Sequence, residues 1–117
     1  MTENRDVSVY QNEDYADSLT IKINGIAADI TGWTIYFTIK KDKADADSSA
    51  IYQQVVTSHT SPTTGVTRIS IPNSTLLLIS AGDYYYDIKL KDSVGTKYTG
   101  LYGIFTINGT VTKTWLT

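Results

Sequence analysis

The 117-residue chain contains no cysteine, one methionine, one histidine and two prolines, and each scarcity removes a class of protein. Without cysteine there is neither a disulfide scaffold of the kind small secreted domains use nor a thiolate metal site, so stability has to come from packing. With His59 as the single histidine, a multi-histidine metal site is excluded, and so is a Ser-His-Asp triad built on neighbouring residues. Positive charge is also scarce. Ten Lys and Arg stand against twelve Asp and Glu, the net charge is -2, and only Lys40 and Lys41 are adjacent cations. A chain with a pI near 5.1 lacks the basic field that a phosphate backbone requires, which argues against nucleic acid as a partner. The opening "MTENRDVSVYQNEDY" has no apolar h-region, and no window approaches a membrane-spanning run. A product that stays soluble in the cytoplasm, unless it leaves inside a larger particle, is the expectation.

What remains is a strand-forming chain. Charged residues make up 19%, while Thr, Tyr, Ser and Ile are abundant, and the length suits one core but not two. Alternation of apolar and polar residues recurs along it with turn residues between the runs. Val7, Val9 and Tyr10 read as a first strand, and "SLTIKI" as a second with Leu19, Ile21 and Ile23 on one face, closed by the turn at Asn24 and Gly25. In "GWTIYFTIKK", Trp33, Ile35, Phe37 and Ile39 share the core face and Tyr36 the other. "KDKADADSSA" reads as an exposed loop, and "IYQQVVTSH" and "VTRISI", joined through "SPTTG", as a hairpin. "NSTLL" carries a short helical turn, with Asn73 or Ser74 able to cap it and Leu77 turned inward. "DYYYDIKLKD" alternates again, and in "TKYTGLYGIFTI" Gly100 and Gly103 signal a bulge or a close backbone approach, with Leu101, Phe105 and Ile107 inward. Ile69 and Ile71 complete the expected core. Seven to eight short strands at this spacing predict an all-β, two-sheet antiparallel sandwich over residues 15–117, preceded by an arm and possible edge strand at 1–14.

The triple tyrosine in "SAGDYYYDIKL" narrows the sandwich to an immunoglobulin-like one. In that fold a tyrosine near the start of the F strand bonds back to the preceding loop, and a glycine two residues upstream accompanies it. Gly82 and Tyr84 have this spacing, Tyr86 takes the place of a core cysteine, and Trp33 opens a C-like strand. Tyr84 is then a corner tyrosine, Tyr86 a core aromatic with its hydroxyl at the rim, and Tyr85 alone faces solvent.

No catalytic constellation is present, so no enzyme and no cofactor is expected. His59 in "SHTSP" reads as a solvated loop residue. Asp42, Asp45 and Asp47 lack the central glycine and closing glutamate of a calcium loop and read as a solvated acidic segment. Asp83 and Asp87 share one strand face, but nothing marks either as buried. The acceptor-like triplets at Asn73 and Asn108 read as turns, given no export signal. The remaining contact candidates are Tyr36, Tyr85, Tyr102 and Trp115, which on one sheet would form an aromatic patch for a protein partner or a sugar ring.

The stretches "DITGWTIYFTIKKDKADADSSAIYQQ" and "SAGDYYYDIKLKDSVGTKYTGLYGIFTINGTVTK" resemble the immunoglobulin-like domain of bacteriophage virion proteins, notably the N-terminal domain of phage baseplate upper proteins. The resemblance spans residues 19–112. It implies a non-catalytic virion structural component that attaches fibres or receptor-binding proteins to a baseplate, with other virion proteins as partners and a symmetric homo-oligomer in the particle. A capsid decoration protein of the same fold, or a carbohydrate-binding accessory module, is the alternative. Baseplate upper proteins continue into a helical and fibrous region whereas this sequence ends at Thr117, so a small stand-alone tail or head protein, or an excised domain, is expected. The terminal segments 1–14 and 111–117 are the expected interfaces, as extended pieces able to add a strand to a neighbour's sheet.

Overall fold

Residues 3–115 are described by the computed structural model; Met1, Thr2, Leu116 and Thr117, the ends of the two expected interface segments, lie outside them. The alternating runs become ten strands: β1 (Glu3–Asn4), β2 (Val7–Tyr10), β3 (Tyr15–Thr20), β4 (Lys22–Ile23), β5 (Ile26–Ala27), β6 (Thr34–Lys40), β7 (Tyr52–Val56), β8 (Val66–Ile71), β9 (Gly82–Lys91) and β10 (Lys97–Asn108). One short helix, α1 (Asn73–Leu78), crosses between the layers. The large sheet runs β1-β10-β9-β6-β7, with β2 also against β10; β3 pairs with β8 over its inner face, and β4 and β5 form a small hairpin. This is the expected all-β sandwich, mostly antiparallel. The exception is the N-terminal segment, since β1 and β2 run parallel to β10.

Period-two burial built the core where it was expected. Ile35, Phe37 and Ile39 of β6 and Tyr84, Tyr86, Ile88 and Leu90 of β9 are buried, facing Leu19, Ile69 and Ile71 across the sandwich. At the centre, Phe37 lies 6.1 Å from Phe105 and 6.1 Å from Tyr86, and Tyr15 meets Phe105 edge-on at 5.5 Å. Such edge and tilted arrangements add about 0.5–1.5 kcal/mol per pair beyond burial. Trp33 closes one end by stacking on Tyr98 at 6.0 Å.

Four expectations needed correction. Ile23 is exposed, because the chain leaves β3 at Ile21 and turns into the β4–β5 hairpin, whose Asn24 and Gly25 both have positive φ as a type I′ turn demands. Leu76 rather than Leu77 is buried beneath α1, and Pro72 stands at the N-cap with no side-chain cap from Asn73 or Ser74. The segments β7 and β8 are not a hairpin: β7 pairs with β6 in one sheet and β8 with β3 in the other. Their link is made by side chains, Tyr52 Oη donating to the Ser70 carbonyl at 2.8 Å while the Ser70 N–H donates to Gln54 Oε1 at 2.9 Å. Finally, His59 is half-buried and bonded rather than a free, solvated loop residue. Its Nδ1 lies 2.8 Å from Thr67 Oγ1 and its Nε2 2.8 Å from the Trp33 carbonyl, so it ties the crossover loop to both layers.

The tyrosine stretch divides as its spacing predicted. Tyr84 Oη donates to the Ser80 carbonyl at 2.6 Å, the corner bond. Tyr86 Oη donates to the Arg5 carbonyl, between β1 and β2, and burial holds this hydroxyl's pKa up at about 12. Around it the N-terminal segment is fastened at three further points. Asp6 Oδ1 accepts from the Ile104 N–H at 2.9 Å, Arg5 pairs with Asp17 at 2.8 Å, and Gly103 lies flat under the Arg5 carbonyl. The bulge read from the two glycines sits between Thr99 and Leu101. With Val9 buried and Val7 packed on the core, the strand-forming part of the arm is already used within its own sheet. It does not hang free as a donor strand.

Candidate functional site

The outer face of the large sheet is built by the alternate residues that the core does not use. In register, Tyr36 of β6 lies opposite Lys89 of β9, Thr38 opposite Asp87, and Lys40 opposite Tyr85. On the other side of β9, Tyr102 lies opposite Asp87 and Ile104 opposite Tyr85. Tyr102 and Tyr36 therefore flank Asp87 as direct and diagonal cross-strand neighbours, and Tyr85 precedes it by two residues on the same face of β9. Together they line an open concavity of about 960 Å³. Tyr85 is 38% exposed and Tyr102 40%, while Tyr36 is half-buried. Trp115 does not line this concavity. It lies on the C-terminal tail, 63% exposed, with its Nε1 donating to the Asn12 carbonyl at 3.0 Å.

The face is lysine-rich as well as aromatic, which single-residue reading of the strands did not bring out. Lys40, Lys43, Lys89, Lys91 and Lys97 border it against Asp6, Asp47 and Asp87, a local excess of two positive charges (5 − 3) on a chain whose net charge is -2. Lys40 is held by Asp47 at 2.7 Å and by the Asp45 carbonyl at 2.7 Å, which folds the acidic loop over its own cation. Lys43 Nζ sits 5.0 Å from the centre of the Tyr85 ring and Lys91 Nζ 5.8 Å from that of Tyr36, cation–π contacts that cover one face of each ring. Asp87 is half-buried at the middle. Desolvation raises its pKa above the usual carboxylate range, against the pull of Lys89 and Lys40.

Chemically the arrangement offers aromatic area and charge suited to holding a surface. Asp83 is exposed and hydrogen-bonded to Thr106 Oγ1 at 2.7 Å, so the two carboxylates of β9 do not face a common cleft. Among the described residues no group of three or more His, Asp or Glu side chains is placed to hold a metal ion, and no helix is long and apolar enough to cross a membrane. The signal for the lysines was present in the sequence, since Lys89 and Lys91 share the parity of Tyr85 and Lys40 that of Tyr36. What it lacked was the strand order that makes β6, β9 and β10 neighbours.

No protein-family model matches the chain, and neither does any curated protein. Among solved structures, the N-terminal domain of phage TP901-1 ORF48 has a similar fold, with a TM-score of 0.53 and 12% sequence identity over 92% of this chain and 99% of that one. At that identity the likeness is one of fold. It agrees with the resemblance to a bacteriophage domain carried by the tryptophan and tyrosine stretches.

Proposed function

We propose that the chain is a non-catalytic structural protein of a bacteriophage virion, a baseplate or tail component that attaches fibres or receptor-binding proteins. The observation that carries this reading is the full-length likeness to a phage domain, 92% of this chain against 99% of that one, on residues whose sequence resemblance points the same way. The outer face of the large sheet supports it physically. Tyrosines supply rigid contact area at low entropic cost, and a ring of lysines around a desolvated carboxylate gives a docking surface orientation and charge selectivity. Its partner is another virion protein that brings carboxylates to Lys43, Lys91 and Lys97, and the virion is its location after synthesis in the bacterial host.

The face suits a protein better than a sugar. A carbohydrate platform needs bare ring faces, whereas Lys43 and Lys91 lie over those of Tyr85 and Tyr36. The test is mass spectrometry of purified particles from the source phage together with immunogold labelling of this chain. Gold at the tail tip supports the baseplate reading, and gold over the head replaces it with capsid decoration. Absence from particles overturns it. Alanine at Tyr85 and Tyr102 should then abolish incorporation while the free protein stays folded.

A further inference from the structure

An edge of a β-sheet presents a row of unpaired N–H and C=O groups, and proteins that stay monomeric blunt such edges with charge, brevity, bulges or covering side chains. Three edges of this sandwich are blunted. The β1/β2 edge is broken into two short pieces and carries Glu3, Arg5 and Asp6. Asp17 and its ion pair with Arg5 guard β3. The Ser70 N–H and C=O on β8 are taken by Gln54 and Tyr52.

The β7 edge has none of these protections. No charged residue occurs between Ser48 and Thr67, although charged residues are 19% of the chain. Strand β7 pairs with β6 on one side, and among the described residues its backbone makes no hydrogen bond on the other. Its outward side chains, Gln53 and Val55, are exposed, Val55 by 54%. Val55 stands beside Tyr36, so this edge is also the rim of the aromatic face.

We propose that β7 is a pairing edge whose occupant is β7 of a second copy, joined antiparallel about a two-fold axis at Gln54. Side-chain parity selects this register. An antiparallel ladder keeps core-side residues opposite core-side residues only when the paired numbers have an even sum, and full overlap of Tyr52–Val56 places Gln54 against its own copy. Gln53 then meets Val55 of the second copy, Tyr52 meets Val56, and no like charges are opposed. Because β7 is, among the described residues, the one edge of the two main sheets without such protection, and the exposed β4–β5 hairpin offers only two residues per strand, the contact is isologous and closes at two copies, where two long sticky edges would grow a filament. One five-residue edge buries less than a standard interface, so the free dimer is weak and concentration-dependent. This pairing stands independently of whether the chain belongs to a virion.

The test is sedimentation velocity of the folded chain from about 1 µM to about 1 mM, the range in which weak interfaces populate. A dimer is expected to grow in with concentration, and amide exchange at Tyr52–Val56 to slow alongside it. The double variant Gln53→Lys with Val55→Lys opposes cations in both cross-strand pairs and should weaken the dimer at least tenfold. Gln53→Lys with Val55→Glu opposes a cation to an anion twice and should keep the dimer or tighten it. Both changes lie on exposed positions, and circular dichroism checks that each variant folds. A chain that stays monomeric throughout overturns the proposal, as does a dimer that survives both double variants or is lost in both. Exchange at β7 that is indifferent to concentration overturns it without any variant.

Discussion

Gly103→Ala is the substitution that separates a fastened N-terminal segment from one that merely lies alongside the sheet. A Cβ built at Gly103 would stand 2.5 Å from the Arg5 carbonyl oxygen, 2.8 Å from Asp6 Oδ1 and 2.9 Å from the Arg5 carbonyl carbon. Two of these are backbone atoms, so no side-chain rotation relieves the overlap, and β1 and β2 must move off β10 by a sizeable fraction of an ångström. Forcing extra volume into a closed contact costs about 1–3 kcal/mol. The movement also stretches the Tyr86–Arg5 and Ile104–Asp6 hydrogen bonds, and a buried hydroxyl left without a partner adds about 1–3 kcal/mol.

The two costs do not simply add, because the segment can let go. Once the strain exceeds what holds β1 and β2 in place, they detach and Val9 becomes exposed, so the loss levels off near 2–4 kcal/mol. Urea unfolding measures that loss, and hydrogen exchange shows its location in faster exchange at Val7–Tyr10 and on β10 opposite, with β6 and β9 unchanged. Gly100→Ala is the control, since its Cβ would meet the Ile88 carbonyl at 3.4 Å and Leu90 Cδ1 at 3.5 Å, ordinary or nearly ordinary contacts, and should stay within about 0.5 kcal/mol. If Gly103→Ala matches this control in both stability and exchange, the fastening account is wrong.

Tyr84→Phe removes only the corner bond to Ser80 and should cost about 1 kcal/mol by thermal unfolding, with the fold retained. Phe37→Ala opens a hole among Tyr15, Tyr52, Tyr86 and Phe105 and should cost about 3–5 kcal/mol in the same assay. Asp87→Asn tests the centre of the outer face. Because the folded protein binds a proton at Asp87 more tightly than the unfolded chain does, stability declines as pH rises from the ordinary carboxylate range through the raised one. Asparagine should therefore gain less than about 1 kcal/mol at pH 7, a partly exposed site being screened, and nothing at pH 3, with urea unfolding at both pH values as the check.

The sandwich was legible because burial imposes a period on each strand independently of its neighbours. Tyr84 to Leu90 alternate without interruption and Trp33 to Ile39 do so except for a buried Thr38, and a strand with one wet face has no other way to satisfy its core. Tyr84 was legible for a related reason, its glycine at minus two being a local signature that needs no knowledge of pairing. The failures share the opposite property. Ile23 continues an alternation that the backbone abandons at Ile21, since a hydrophobic period cannot register where a strand leaves its sheet. The supposed β7–β8 hairpin failed because adjacency in sequence does not fix adjacency in space, and the bonds that overrule it, from Tyr52 and Gln54 to Ser70, are between side chains and backbone across two sheets. His59 was misjudged on the same ground, both its partners lying in other segments.

The same distinction explains why the candidate surface resisted reading while every residue on it was visible. Outward parity marked Tyr36, Tyr85 and Tyr102 as exposed, yet parity leaves open whether three outward tyrosines are companions or strangers. That is decided by strand order, β10-β9-β6-β7, which brings Asp87 between them and sets Lys43 and Lys91 over their rings. Order also decides which strand ends the sheet, and hence that the uncharged stretch after Ser48 is an edge and not an interior ladder. In an interior strand "YQQVV" would need no charge, being paired on both sides. At an edge the absence of charge leaves a free ladder open to another chain, and this turns a bland segment into the long edge, among the described residues, on which the proposed pairing rests.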